Sequence, residues 1–239
     1  MAYLDFDTLL ICNNYFDKES VKFTLDFFKE VGIRKFIFTY EFDRNVKPMP
    51  FAIQKLKTLK PYLKSLAPRG VRIYTAFNVV LSNGIVFDRS FNRLSMGHSD
   101  RVFVDLPFYN YNDWLESDMN HLLYKNKLKP AFTSFERNFN IYENAMIDRF
   151  IGIKNAIFCM DINYLTSIHT TDDLKKLILC GTNILPCISN HPFDYPGTIK
   201  SFNLLKDRIG DQNYKRLCHI FYNSSKDIME DATFYPRKD

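Results

Sequence analysis

The stretch Arg101–Leu106 reads RVFVDL, an apolar run that ends in a single acidic residue, Asp105. A short polar loop follows. Then Asn112–Lys125 has the composition of a helix, with Asn112 placed to cap it. The same unit of strand, polar terminus and helix recurs in both directions. Upstream, Lys35–Tyr40 (KFIFTY) is a buried strand by its β-branched and aromatic content, and Val71–Phe77 is another. Downstream come Pro130–Ser134, Ala156–Asp161 and Asn183–Ser189, and Tyr3–Asp7 opens the series. The run-ends fall at Asp5-Phe6-Asp7, Glu41, Asn78, Asp105, Ser134, Asp161 and Asn190. That rhythm predicts an α/β fold, a distorted (β/α)7 TIM-like barrel, in which function collects at the C-terminal strand ends.

The helices between these strands carry ordinary signals. Asp17 caps one that runs to about Val31, with Gly32 as its stop. A second runs from Phe51 to Leu66, and Pro61 inside it predicts a kink or break. Others are expected at Tyr142–Ile151, Thr171–Cys180, Thr198–Ile209 and Asp211–Phe221. Residues 78–98 follow no clear pattern. There is no linker, repeat or low-complexity segment, so one domain is expected over residues 1–239.

Composition narrows the function classes. A hydrophobic share of 46% supports a core that needs neither disulfides nor structural metal. Only 8 of the 239 residues are glycine, and no GxGxxG or GxxxxGK[ST] occurs, so glycine-rich phosphate loops are excluded. The 5 cysteines include no CxxC and no Cys-x5-Arg, which excludes the thiolate class of tyrosine phosphatase and reads as reduced, largely buried thiols. No basic leader and no long apolar segment is seen, so a cytoplasmic protein without membrane insertion is expected. The net charge of +5 is mild. Its densest patch, Lys55, Lys57, Lys60 and Lys64, lies opposite Ile53, Leu56, Leu59, Leu63 and Leu66 and reads as a solvated helix face. Aromatics do not interleave with these lysines, so no nucleic-acid partner is expected.

Taken in order, the pieces resemble the polymerase-and-histidinol-phosphatase (PHP) superfamily, and within it the capsule-associated, manganese-dependent bacterial tyrosine phosphatases. The segments that carry the likeness are Val102–Leu106 with Trp114, Lys129–Asn138 (KPAFTSFERN), Ile188–Pro192 (ISNHP) and the NSSKDIMED of Asn223–Asp231. The resemblance implies a barrel and a cluster of two or three metals, which generates a hydroxide that attacks phosphorus. It also assigns ligand positions, and here most have changed. The family's Asp-x-His-x-His reads Asp5-Phe6-Asp7-Thr8-Leu9. The histidine after the second strand becomes Glu41, and a bridging glutamate becomes Asn78. Asp105 is kept as an acidic ligand. The histidine of His-x-Glu-Arg becomes Ser134, with Glu136 and Arg137 retained. The final Asp-x-His reads Asn190-His191-Pro192, with His191 displaced by one residue.

Without imidazoles such a site has little affinity for transition metals. The expectation is therefore a degenerate member of the family, a pseudoenzyme with no cofactor that binds a ligand or regulates a partner. Ligand-binding candidates are Arg137, Asn78, Ser134, Asn190 and His191, and the ligand class is a phosphorylated small molecule or protein. The competing reading is a metal-dependent phosphoric monoester hydrolase, with Asp7, Glu41 and Asp105 holding a single Mg or Mn ion and Arg137 assisting. For Arg137 two roles stand side by side: a bidentate phosphate clamp, or a structural ion pair with Asp105 or Glu136. His98, His121, His169 and His219 read as surface or satisfied core residues. Tyr40, Tyr109 and Tyr111 are candidates to line the mouth. The oligomeric state is not legible.

Overall fold

Strands buried on both faces carry nearly unbroken apolar runs, and seven such runs close into one barrel of parallel strands. In this computed structural model, residues 8–13, 17–97, 99–108, 113–188 and 195–233 are described. The strands are β1 (Leu9–Asn13), β2 (Lys35–Phe42), β3 (Arg72–Val80), β4 (Arg101–Asp105), β5 (Lys129–Phe132), β6 (Ile157–Asp161) and β7 (Ile184–Ile188). Each pairs with the next, and β7 returns to β1 through Ile11 opposite Cys187 and Cys12 opposite Ile188. The helices are α1 (Lys18–Glu30), α2 (Met49–Leu66), α3 (Asp113–Asn120), α4 (Asn144–Ile151), α5 (Ile162–Thr166), α6 (Thr171–Leu179), α7 (Tyr195–Ile209) and α8 (Asp211–Thr233). None is long and apolar enough to cross a membrane.

Strand alternation divides the core in two. Outward residues such as Phe36, Phe38, Val102, Val104, Phe132 and Phe158 pack beneath the helices. Inward residues fill the barrel with a second cluster that includes Leu9, Ile11, Ile37, Ala76, Phe103, Ala131, Ile157, Cys159, Leu185 and Cys187. At the C-terminal ends this inward register turns polar: Asn13, Thr39, Glu41, Asn78, Asp105 and Asp161. The lower end is plugged by α8. Ile228 is fully buried in the inner cluster, and the Leu9 N–H donates to Ser225 Oγ at 2.9 Å.

Several boundaries differ from the sequence reading, each for a physical reason. The expected strand Tyr3–Asp7 lies outside the described residues, and the first described strand is the next apolar run, LLICN at Leu9–Asn13. Asn13 ends this strand, and Leu9 belongs to the bottom of the barrel. Asp5 and Asp7 lie outside the described residues. Strand β3 continues two residues past Asn78 to Val80, and residues 81–97 include two short 3₁₀ turns, Ile85–Phe87 and Phe91–Leu94. Strand β5 stops at Phe132, because Ser134 adopts φ 48°, outside any strand geometry. Helix α2 passes through Pro61 unbroken. Lys57 and Pro61 are both exposed, so the carbonyl that proline leaves without a donor faces water. Helix α8 runs well beyond Phe221, to Thr233.

All five cysteines are free. Cys12, Cys159 and Cys187 are buried, whereas Cys180 is exposed and Cys218 half-buried. Burial pushes the three buried thiols far above their ordinary range, so none is a thiolate nucleophile.

Candidate functional site

The mouth is built on a loop that aromatic packing holds in place. Phe135, fully buried, opens the 3₁₀ turn Phe135–Asn140 and meets Phe158 at 4.6 Å, Phe139 at 5.5 Å and Phe132 at 5.9 Å between ring centroids. Contacts of this kind contribute about 0.5–1.5 kcal/mol each beyond area burial. They fix the two following side chains, Glu136 and Arg137, over the ends of β4 and β6. Ser134 precedes the turn in a left-handed conformation and is 2% exposed, so its side chain is not open to a ligand.

Arg137 reaches β4. Its Nη2 donates to Asp105 Oδ1 at 2.6 Å, its Nε donates to the Ser134 carbonyl at 3.2 Å, and its Cζ lies 4.1 Å from the centre of the Phe108 ring. The guanidinium is satisfied on one edge and covered on one face, yet the side chain keeps 34% of its exposure. Asp105 is more enclosed. Burial pushes its carboxyl above the ordinary carboxylate range, and the neighbouring Glu41 adds to this. Arg137 and an amide hydrogen bond from Asn78 pull in the opposite direction.

The other strand ends are tied to one another. Thr133 Oγ1 donates to Asn78 Oδ1 at 2.7 Å, and Thr39 Oγ1 donates to Asn13 Oδ1 at 2.6 Å. On the next loop Lys47 Nζ donates to the Tyr40 hydroxyl and the Glu41 carbonyl, both at 3.3 Å, and sits 4.7 Å from the Tyr40 ring centre. Across the mouth, Glu136 Oε2 accepts from the Asp161 N–H at 3.1 Å, while Asp161 Oδ1 caps α5 by accepting from Asn163 N–H at 2.8 Å. Burial raises the Glu136 carboxyl to about 7, with the nearby Asp161 charge contributing.

Of the residues singled out in the sequence, Glu41, Asn78, Asp105 and Arg137 gather at the mouth, and Ser134 lies in its wall. Asp7, Asn190, His191, Tyr109, Tyr111 and His98 lie outside the described residues. Sequence reasoning did not single out Asn13, Thr39, Thr133 or Phe108. Asn13 ends a strand that the sequence reading did not mark, and Phe108 lies in a loop. Asp161 was visible as a run-end and Glu136 as a retained residue, but nothing in the sequence showed that their carboxyl groups adjoin.

The described donor set does not fit a multinuclear metal cluster. Asp105, the acidic position that the resemblance keeps, faces a guanidinium at 2.6 Å, and the Asn78 oxygen accepts a hydroxyl proton. A cation of the protein's own stands beside the carboxylate that would hold the metal. Among the described residues, no three His, Cys, Asp or Glu side chains are arranged to hold a metal ion.

This mouth sits on a shared scaffold. One chain from the crystal structures of YwqE from Bacillus subtilis and CpsB from Streptococcus pneumoniae, described as unique metal-dependent tyrosine phosphatases, matches over 87% of this chain and 86% of that chain, with a TM-score of 0.59. This chain shares the barrel fold of that structure. Sequence identity over the match is 16%, so the likeness is one of fold. No family model matches the chain, and no curated protein does. The phosphatase-like barrel expected from the sequence is present, and the chemistry has to be argued from the mouth itself.

Proposed function

We propose that the mouth binds an anion of the phosphate class without hydrolysing it, and that the protein is a ligand-binding or regulatory relative of the phosphatases whose fold it shares. The observation that carries this reading is the Arg137–Asp105 pair. A guanidinium held by a carboxylate on one edge still presents its remaining edge to the mouth, in the planar geometry that suits phosphate oxygens. Among the described residues, Arg137 Nη1 has no protein acceptor. Phe108 covers the guanidinium face and keeps that edge directed. The phosphorylated ligand is then a small molecule or a protein segment.

Hydrolysis needs an activated water, and in this fold's metal chemistry a metal cluster lowers the water's pKa. The competing reading, a single Mg²⁺ or Mn²⁺ on oxygen ligands including Glu41 and Asp105, requires Arg137 to release Asp105 first. The test has two arms. Inorganic phosphate is titrated while the melting temperature is followed; the expected result is a rise for the protein and none for Arg137→Ala. Purified protein is also assayed for bound metal and for turnover of an aryl phosphate with added Mn²⁺. The expectation is no stoichiometric cluster and background turnover. Two tightly bound ions per chain, or turnover abolished by Asp105→Ala, would establish the hydrolase instead.

A further inference from the structure

Away from the mouth, toward the N-terminal ends of the strands, a groove of about 570 Å³ runs between α3 and α4. Its body is apolar and adaptable: Met119, Leu123, Leu128, Met146 and Phe150. One wall is a single π-helical turn, His121–Lys125, which continues α3 and brings Leu123 and Tyr124 into the lining. Turns of this kind carry a cost that is common at functional sites.

The charges around the groove are not balanced. Asp100 pairs with Lys129 at 3.1 Å, and Glu116 pairs with Arg149 at 3.5 Å. Lys127 and Lys154 also line it, and among the described residues neither side chain has an ion-pair or hydrogen-bond partner. Two free ammonium groups therefore stand beside an apolar trough.

Left-handed residues shape the backbone at this end. Among the described residues, the non-glycine positions with left-handed backbone are Ser134 at the mouth, Lys127 at φ 55° and Asn155 at φ 63°. The last two both line the groove. Arg101, 2% exposed, donates through Nη1 to the Asn155 carbonyl at 2.6 Å and to the Pro130 carbonyl at 3.3 Å. A buried guanidinium thus anchors the loop that carries Asn155. Lys127 takes the left-handed conformation common just past a helix end, with the Leu128 N–H donating to the Leu122 carbonyl at 3.0 Å.

We infer that this groove is a second binding site, distinct from the mouth, for a small amphipathic anion. An alkyl or aryl body lies among Met119, Leu123, Met146 and Phe150, and a carboxylate or phosphate head meets Lys127 and Lys154. The volume suits a single small-molecule ligand. Charge selects the class, since a neutral ligand would leave both lysines unanswered. The site does not depend on the reading given to Arg137.

The test uses dodecanoate as probe and dodecan-1-ol as its neutral counterpart, with titration calorimetry and methyl NMR of the methionines. Dodecanoate is expected to bind one molecule per chain and to shift the Met119 and Met146 methyl signals. Dodecan-1-ol should bind about tenfold more weakly or worse. Met146→Trp, which fills the trough, should remove binding, and Lys127→Gly with Lys154→Ala should weaken it by a similar factor. Glycine suits the left-handed position, so the doubly substituted protein is expected to fold. Dodecyl phosphate in place of dodecanoate shows which head group is preferred, and tighter binding of either supports the site. Unmoved methionine signals, or equal binding of the alcohol, would overturn it.

Discussion

Arg137 Nη2 and Asp105 Oδ1 lie 2.6 Å apart across the barrel mouth, joining the β5–α4 loop to the end of β4. The contact is charge-assisted and geometrically good, but the guanidinium is one-third exposed, so its net worth is discounted for solvent screening to about 1 kcal/mol. Its larger consequence concerns competition. Asp105 takes one guanidinium donor, and its charge opposes an anion arriving at the remaining edge.

Asp105→Asn should therefore separate stability from binding. The amide keeps an oxygen acceptor for Arg137 and ends the burial of a charge, so stability is expected to change by no more than about 1 kcal/mol. Phosphate affinity should rise several-fold, because the guanidinium no longer answers a carboxylate. Denaturant unfolding and phosphate titration of the variant check both parts. A loss of phosphate binding would mean that the carboxylate, not the guanidinium, organises the ligand.

Ser134 offers a test of the opposite kind. Its backbone is left-handed at φ 48° and its side chain is 2% exposed, so the hydroxyl is poorly placed to meet a ligand while the backbone carries the cost of a Cβ. Ser134→Gly is expected to stabilise the protein by about 1 kcal/mol and to leave phosphate affinity unchanged. A large loss of affinity would restore Ser134 as a ligand contact.

How much of this was legible in the sequence depends on where each element gets its burial. Strands such as Lys35–Phe42 and Arg101–Asp105 are enclosed by helices outside and a packed interior within, so their apolar runs announce them. The closing of the barrel by α8 was not legible. Its buried face includes Ser224 and Ser225 beside Phe221 and Ile228, and small polar residues break the apolar period that signals a helix face. At the mouth, residue types pointed to Glu41, Asn78, Asp105 and Arg137, yet only the geometry pairs Arg137 with Asp105 rather than with Glu136. The π-helical turn at His121–Lys125 leaves no mark in the sequence.

That plug has its own energetic signature. Ser225 Oγ accepts the buried Leu9 N–H at 2.9 Å across 216 residues of sequence. Ser225→Ala leaves this donor unanswered and should cost about 1–3 kcal/mol. Ile228→Ala, in a fully buried position, should cost about 2–5 kcal/mol through lost contacts and a residual cavity. Chemical denaturation of both variants measures these losses. Values within experimental error of zero would mean that α8 lies against the barrel without sealing it.

Glu136 makes the barrel mouth sensitive to pH. Burial raises its carboxyl from 4.5 to about 7 in the folded protein, with Asp161 adding repulsion against the Asp161 and Glu136 N–H donors that favour the ionised form. The folded state therefore holds a proton that the unfolded chain has already released between these values. Where the folded state binds more protons, stability falls as pH rises. The contribution is fully present below about pH 4.5 and is lost by about pH 7, with a span on the order of 3 kcal/mol. Glu136→Gln keeps an oxygen for the Asp161 N–H and removes the titration. The variant is expected to match the parent protein near pH 4.5 and to exceed it in stability at pH 8. Unfolding free energies across this range should show a falling limb in the parent that the variant lacks. Parallel curves for the two proteins would place the ionised Glu136 in a better-solvated or better-paired setting than the mouth provides, and the buried-acid account would fail.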